Sequence, residues 1–72
     1  MDILDILMGL KDDADFENSE DFIEDGLLDS FDLVNLVAEL ETEFDIEIKG
    51  SDIIPENFVS IKKISELVEK YQ

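Results

Sequence analysis

The longest helical pattern in the chain begins just after the run Gly26-Leu27-Leu28-Asp29-Ser30. Apolar residues then recur at steps of three and four, which predicts a helix from Phe31 to about Phe44 with one buried stripe. The stripe consists of Leu33, Leu36, Val37, Leu40 and Phe44. Asp29 and Ser30 are both favoured N-cap residues, but one helix needs only one cap. If Asp29 is the cap, the hydroxyl of Ser30 is free in the first turn and faces solvent.

The opposite side of this helix carries a second, smaller apolar strip. At about 100° per residue, Phe31 and Ala38 fall on the face turned away from the core, with Val34 at its margin and Asn35 and Thr42 beside them. Acidic residues flank the strip: Asp32, Glu39, Glu41, Glu43 and Asp45. Acids in the last turns of a helix oppose its dipole, so this arrangement does not help folding. Either a basic partner protein binds this face of the helix, or the face is simply a solvated acidic surface.

The segment before the motif predicts one helix and one long loop. Asp2 can cap a first helix over Ile3 to about Lys11. Lys11 to Asp29 is rich in Asp, Asn, Ser and Gly and predicts a loop, in which Gly26 can adopt a positive φ. Five apolar side chains are expected to pin this loop to the core: Phe16, Phe22, Ile23, Leu27 and Leu28.

The segment after the main helix predicts two further helices. Asp45-Ile46-Glu47-Ile48 alternates like a strand but has no partner strand, so we expect an extended connection. Asp52 can cap a short helix over Ile53 to about Asn57, and Ser60 can cap the last helix. The apolar spacing of that helix runs through Ile61, Ile64, Leu67, Val68 and Tyr71. The predicted fold is all-α, a small four-helix bundle of three longer helices and one short one.

Size and charge limit the possible functions. The chain has 72 residues and is 44% hydrophobic, which suits one domain over residues 1–72 with one compact core. The net charge is −16. Positions 1–45 hold 16 acidic residues and one lysine, whereas positions 46–72 hold five acidic residues and four lysines. This excludes ordinary binding to nucleic acid or to an anionic membrane surface. It favours basic protein partners, and self-repulsion favours a monomer.

Several kinds of chemistry are excluded by residue type. The chain has no cysteine and no histidine, which rules out disulfides, a Ser-His triad and metal sites built from these residues. No apolar run is long enough for a membrane span. Residues 1–10 lack the positive region of a signal peptide, so a cytoplasmic location is expected. The acids are spread over the surface without an obvious cleft, so we do not expect an enzyme.

The acidic loop also invites a calcium hypothesis. From Asp13, oxygen-bearing side chains fall at nearly EF-hand spacing: Asp13, Asp15, Glu17, Ser19, Asp21 and Glu24. Position six of such a loop is Asn18 instead of glycine, and position eight is Glu20 instead of an apolar residue. A true EF-hand is therefore not expected, although weak, non-selective divalent binding by residues 12–25 stays open.

The run Asp29-Ser30-Phe31-Asp32 at a helix start, after a glycine-containing turn, resembles the prosthetic-group site of acyl carrier proteins. The stretch from Gly26 to Phe31 is particularly similar to the D-alanyl carrier branch. Glu39 to Ile48 resembles the end of the second helix in this family and the loop after it. The resemblance covers roughly residues 22–71. It implies an acyl-carrier-type bundle with a long loop between helices one and two.

The resemblance also implies a cofactor and roles for individual residues. Ser30 matches the serine that carries 4'-phosphopantetheine through a phosphodiester, and Asp29 matches the acid before it. Partner enzymes of the family dock where this chain has Phe31, Asp32, Asn35, Ala38, Glu39 and Glu41. Fatty-acid carriers commonly have an acid at the position of Asn35 and a leucine at that of Phe31. These departures favour a specialised pathway over a generic fatty-acid role.

The implied function is that of an acyl or aminoacyl carrier. A phosphopantetheinyl transferase would install the arm from coenzyme A, and its thiol would hold a thioester. An adenylating ligase or acyltransferase would load the arm, and acyl-accepting enzymes would unload it. The pathway could be fatty-acid, cell-wall or secondary-metabolite synthesis. The alternative is a small acidic interaction or divalent-ion-binding domain in which Ser30 is only a helix cap.

Overall fold

The computed structural model describes residues 3–72, and all regular elements within them are helical. The three α-helices are α1 (Ile3–Leu10), α2 (Ser30–Phe44) and α3 (Ile61–Lys70). Two 3₁₀ helices, Gly50–Asp52 and Pro55–Phe58, lie between α2 and α3. α1 packs against both α2 and α3, and the second 3₁₀ helix packs against α3 and α2. The all-helical prediction is therefore confirmed for the described residues.

The α-helices begin and end close to the predicted positions. Ser60 has an extended backbone, and its side chain accepts a hydrogen bond from the backbone N–H of Lys63, so it caps α3 as predicted. The predicted cap of α1, Asp2, lies outside the described residues. None of the helices within residues 3–72 is both long enough and apolar enough to span a membrane.

One hydrophobic core joins the three helices and the long loop. Three fully buried leucines, Leu7, Leu36 and Leu40, lie at its centre. Residues 11–29 form turns and bends without a helix. Within this loop the rings of Phe16 and Phe22 are buried and meet edge to face, with centroids 5.1 Å apart. Burial of large aromatic side chains is how a loop with no regular structure is held against the core.

The end of the loop is shaped by backbone hydrogen bonds around Phe22. Its N–H donates to the carbonyl of Val59 at 2.7 Å, and its carbonyl accepts from the N–H groups of Leu27 and Leu28. Gly26 lies inside this turn with φ of 75°, a conformation that glycine adopts without the steric cost of a side chain. The turn delivers the chain directly to the start of α2.

The short helix predicted over residues 53–57, with Asp52 as its cap, differs from the structure. The segment is a 3₁₀ helix that begins at Pro55, and the residue at its N-cap position is Ile54. The carboxylate of Asp52 has other partners: it accepts a hydrogen bond from the Tyr71 hydroxyl and pairs with the Lys70 ammonium at 3.0 Å. Asp52 therefore ties the end of α3 to the first 3₁₀ helix and does not cap the second one.

Candidate functional site

A reciprocal pair of hydrogen bonds fixes the start of α2. Asp29 is the N-cap residue, with extended backbone angles of φ −120° and ψ −176°. Its Oδ1 accepts from the backbone N–H of Asp32 at 2.9 Å, and Oδ2 of Asp32 accepts from the backbone N–H of Asp29 at 3.3 Å. This is a capping box, which satisfies two backbone donors at the helix end. Asp29, and not Ser30, is therefore the N-cap of α2.

Ser30 is the first residue of α2 and is exposed. Because Asp29 is the cap, the hydroxyl of Ser30 is not needed to start the helix. Within residues 3–72 nothing forms a hydrogen bond with this hydroxyl. The idea that Ser30 serves only as a helix cap is therefore wrong.

A lysine that the sequence analysis did not single out completes the start of α2. The Lys11 ammonium donates to Oδ2 of Asp32 at 3.0 Å and to the carbonyl of Leu27 at 3.1 Å. Lys11 follows α1 directly, so the contacts tie the end of one helix to the beginning of the next. The sequence contains one indication that Lys11 has a specific role, because it is the single basic residue in the first 45 positions.

These contacts change the acid–base properties of both side chains. The hydrogen bond from Lys11 lowers the pKa of Asp32 below its ordinary value, and the capping bonds with Asp29 add to this effect. The hydrogen bond to Asp32 raises the pKa of Lys11. Both groups are therefore ionised at neutral pH. The Asp32 carboxylate is consequently already paired with a cation.

The outward face of α2 is exposed next to Ser30. The Phe31 side chain is 74% exposed and that of Val34 is 65% exposed. Asn35, Ala38 and Glu39 are also exposed on this helix. These five residues, which we call the outer strip, include four of the six predicted partner-binding residues.

The two remaining predicted partner-binding residues are engaged within the fold. Asp32 is held by Lys11 and the capping box. Glu41 is half-buried, and its Oε2 accepts a hydrogen bond from the backbone N–H of Ile48 at 2.9 Å. The Glu41 side chain thus secures the extended segment that follows α2. Sequence spacing did not reveal this, because the contact depends on how the chain turns at Asp45, which has φ of 54°.

The acidic loop is organised by its own hydrogen bonds. Asp15 accepts from the side chain of Asn18, Asp25 accepts from the hydroxyl of Ser19, and Asp21 accepts from two backbone N–H groups that follow it. Among the described residues, no three acidic side chains are grouped so that they could hold a metal ion. The geometry therefore gives the EF-hand hypothesis no support.

A shallow groove lies between α1 and α2, with a volume of about 260 Å³. Its lining is Asp5, Ile6, Gly9, Leu10, Glu39 and Glu43. The glutamates lie nine and thirteen residues after Ser30, or more than about 13 Å along the helix axis at 1.5 Å per residue. Ser30 does not line this groove, and its side chain is exposed.

The start of α2 is chemically suited to a covalent phosphodiester. The N-terminal end of a helix carries a partial positive charge and favours an attached anion. The acids beside Ser30 would oppose that anion if they were free. Lys11 offsets the charge of Asp32, and the Asp29 carboxylate is turned towards the backbone N–H of Asp32. An exposed, unengaged hydroxyl at such a position can accept a phosphopantetheine arm and leave it free to move in solvent.

Comparisons with known proteins agree with this chemistry. The family model described as "Phosphopantetheine attachment site" matches residues 2–68. Aminoacyl carrier protein 1 of Bradyrhizobium diazoefficiens is 46% identical to the chain over 41 residues, which are 57% of this chain and 46% of that relative. The matched stretch is thus less than half of the relative's length. The chain therefore belongs to the phosphopantetheine-binding carrier family, whose domains carry substrates on covalent 4'-phosphopantetheine.

Proposed function

We propose that Ser30 is the residue that bears 4'-phosphopantetheine, and that the arm carries an aminoacyl group as a thioester. The observation that carries the first part is the free hydroxyl of Ser30 beside a cap that Asp29 provides. A serine needed as the cap would have its oxygen occupied by a backbone N–H. The side chains of Asp29 and Asp32 form the capping box, and the Ser30 hydroxyl between them has no part in it.

The proposed attachment at Ser30 requires a separate enzyme. A phosphopantetheinyl transferase with coenzyme A and Mg²⁺ replaces the hydrogen of the Ser30 hydroxyl with the phosphopantetheinyl group. The new bond joins the serine oxygen to phosphorus, the bond from that phosphorus to the adenosine bisphosphate breaks, and the proton leaves to solvent. The chain provides no thiol of its own, since it has no cysteine, so the arm supplies the thiol that forms the thioester.

Two likenesses favour the aminoacyl cargo. One is the relative named as an aminoacyl carrier protein. The other is the resemblance of Gly26 to Phe31 to the D-alanyl carrier branch. An amino acid is activated for thioester formation as its adenylate, so the loading partner would be an adenylating ligase. The acceptor would be an enzyme that moves the aminoacyl group onward, and the carrier domain would comprise residues 1–72.

The outer strip is the proposed docking surface for these partners. It offers an exposed aromatic ring and an exposed valine next to Ser30, with Glu39 beside them. Apolar anchors surrounded by charge are typical of surfaces that a protein partner covers. Asp32 and Glu41 contribute to this surface through the shape of the fold, since their carboxylates are already occupied.

Intact-mass measurement tests the attachment residue. The protein is incubated with coenzyme A, Mg²⁺ and a broad-specificity transferase. We expect one phosphopantetheinyl increment in the native chain and in Ser51→Ala, which removes another exposed serine, and none in Ser30→Ala. An increment on the Ser30→Ala protein, or none on folded native protein, contradicts the assignment.

The cargo is tested separately on protein isolated from its own cells. The acyl group is released from the arm by thioester cleavage and identified by mass spectrometry. An amino acid supports the aminoacyl assignment. A fatty acyl or polyketide chain contradicts it and leaves the attachment at Ser30 intact.

A further inference from the structure

The Lys11 ammonium has two partners that lie on either side of the attachment serine in the sequence. The Leu27 carbonyl lies three residues before Ser30, and the Asp32 carboxylate lies two residues after it. The Lys11 nitrogen therefore bridges Leu27 and Asp32, with Ser30 between them in the sequence. The donor lies 16 residues from the first partner and 21 from the second, so the contacts are tertiary and fix the helix start relative to α1.

The two hydrogen bonds of Lys11, which we call the clamp, lie on a different side of the start of α2 from the Ser30 hydroxyl. At about 100° per residue, positions 30 and 32 are separated by about 160° around the helix axis. Lys11 therefore holds the face of the helix start that turns towards α1 and leaves the opposite face open. The side chains of the pair are only 35% and 18% exposed, respectively, which is more sheltered than a typical mobile surface ion pair.

We propose that Lys11 is a positioning residue for the modification of Ser30. The inference depends on the proposed attachment at Ser30. Lys11 acts through the backbone: by holding Leu27 and Asp32 together, it fixes the direction in which the Ser30 hydroxyl leaves the helix. A transferase must bring that oxygen into line with the phosphorus of coenzyme A, and small displacements of a reacting atom lower rates strongly. Two further features support the proposal: the pKa shifts of Lys11 and Asp32 are opposite in sign, and no other cation occurs before residue 46.

Steady-state kinetics of phosphopantetheinylation distinguish positioning from general stability. The main variant is Lys11→Met, which keeps an apolar stem of similar length and removes both hydrogen bonds. We expect kcat to fall about fivefold to tenfold while KM changes by less than about twofold, because the outer strip that binds the enzyme is untouched. Assays are run at a temperature where circular dichroism shows each variant to be folded.

Three further variants act as controls. Lys62→Met removes the same charge from an exposed position on α3 and should leave kcat unchanged. Lys11→Arg can donate to both partners and should retain at least about half of the native kcat, because a guanidinium has several donors. The double variant Lys11→Met with Asp32→Asn removes the unpaired charge without restoring the clamp, and its kcat should stay low.

These measurements distinguish a failure of the Lys11 role from a failure of the attachment at Ser30. A native kcat in Lys11→Met, or an equal fall in Lys62→Met, overturns the positioning role. Recovery of kcat in the double variant also overturns it, because the charge of Asp32 alone would then explain the effect. Failure of the proposed attachment looks different: the native protein gains no increment, or Ser30→Ala still gains one, whatever residue stands at position 11.

Discussion

α2 has apolar side chains on two faces, and the fold uses only one of them. On the inner face Leu36 and Leu40 are fully buried. On the outer face Phe31 and Val34 are 74% and 65% exposed, although their side chains are as apolar as those inside. Burial of a large apolar side chain contributes about 1.5–3 kcal/mol, a gain that the folded chain leaves largely unused on the outer face. Stability thus explains the inner face but not the outer face, which we propose as a surface that a partner covers.

The largest expected effect of a single substitution is on the inner face. Leu36→Ala should lower the free energy of unfolding by about 2–5 kcal/mol, because it removes a buried side chain and leaves a cavity. The matched change on the outer face, Val34→Ala, should alter it by less than about 0.5 kcal/mol. Urea unfolding followed by circular dichroism measures both. Similar losses in the two variants would mean that the faces do not differ in the way the exposure values indicate.

A smaller effect is expected from the acids that border the two faces. Glu41 accepts the backbone N–H of Ile48, so Glu41→Ala should cost about 1–2 kcal/mol by leaving that donor without its partner. Glu39, two positions earlier, is exposed, and Glu39→Ala should change stability by less than about 0.5 kcal/mol. The same urea titration compares them. If Glu39→Ala were the more destabilising change, Glu41 would not have the structural role assigned to it.

These two acids illustrate what the sequence could and could not predict. Helical periodicity separated the buried residues of α2 from the exposed ones, because that pattern depends on residues three and four apart. Cap residues such as Ser60 were also predictable, since a cap acts on its own helix. The contacts of Glu41, Lys11 and Asp52 were not, because each joins segments that only tertiary folding brings together. Tyr71 and Asp52, for example, are 19 residues apart.

In the candidate site, too, local features were predictable from the sequence and long-range contacts were not. The free hydroxyl of Ser30 followed from a local argument about which of two neighbours caps a helix, and Asp29 is the cap. The assignment of Asp32 to partner binding came from its position on the helix and from family resemblance. In the structure its carboxylate is also shared between a capping bond and Lys11. A surface acid can therefore be placed on the correct helix from the sequence, but whether its charge is available to a partner depends on long-range contacts.

At Phe31 we expect a very small effect on stability but a clear effect on partner binding. Phe31→Ala removes a side chain that is only about one quarter covered, so the free energy of unfolding should change by less than about 0.5 kcal/mol. If the transferase covers this ring, KM for phosphopantetheinylation should rise roughly fivefold to tenfold, the loss expected when an aromatic anchor of an interface is truncated. The control Met8→Ala shortens an apolar side chain on α1 that is 36% exposed, and its KM should stay close to the native value. A native KM in Phe31→Ala would remove the ring from the docking surface. A rise in KM without a loss of stability would show that the unburied apolar face of α2 serves binding, in contrast to the inner face.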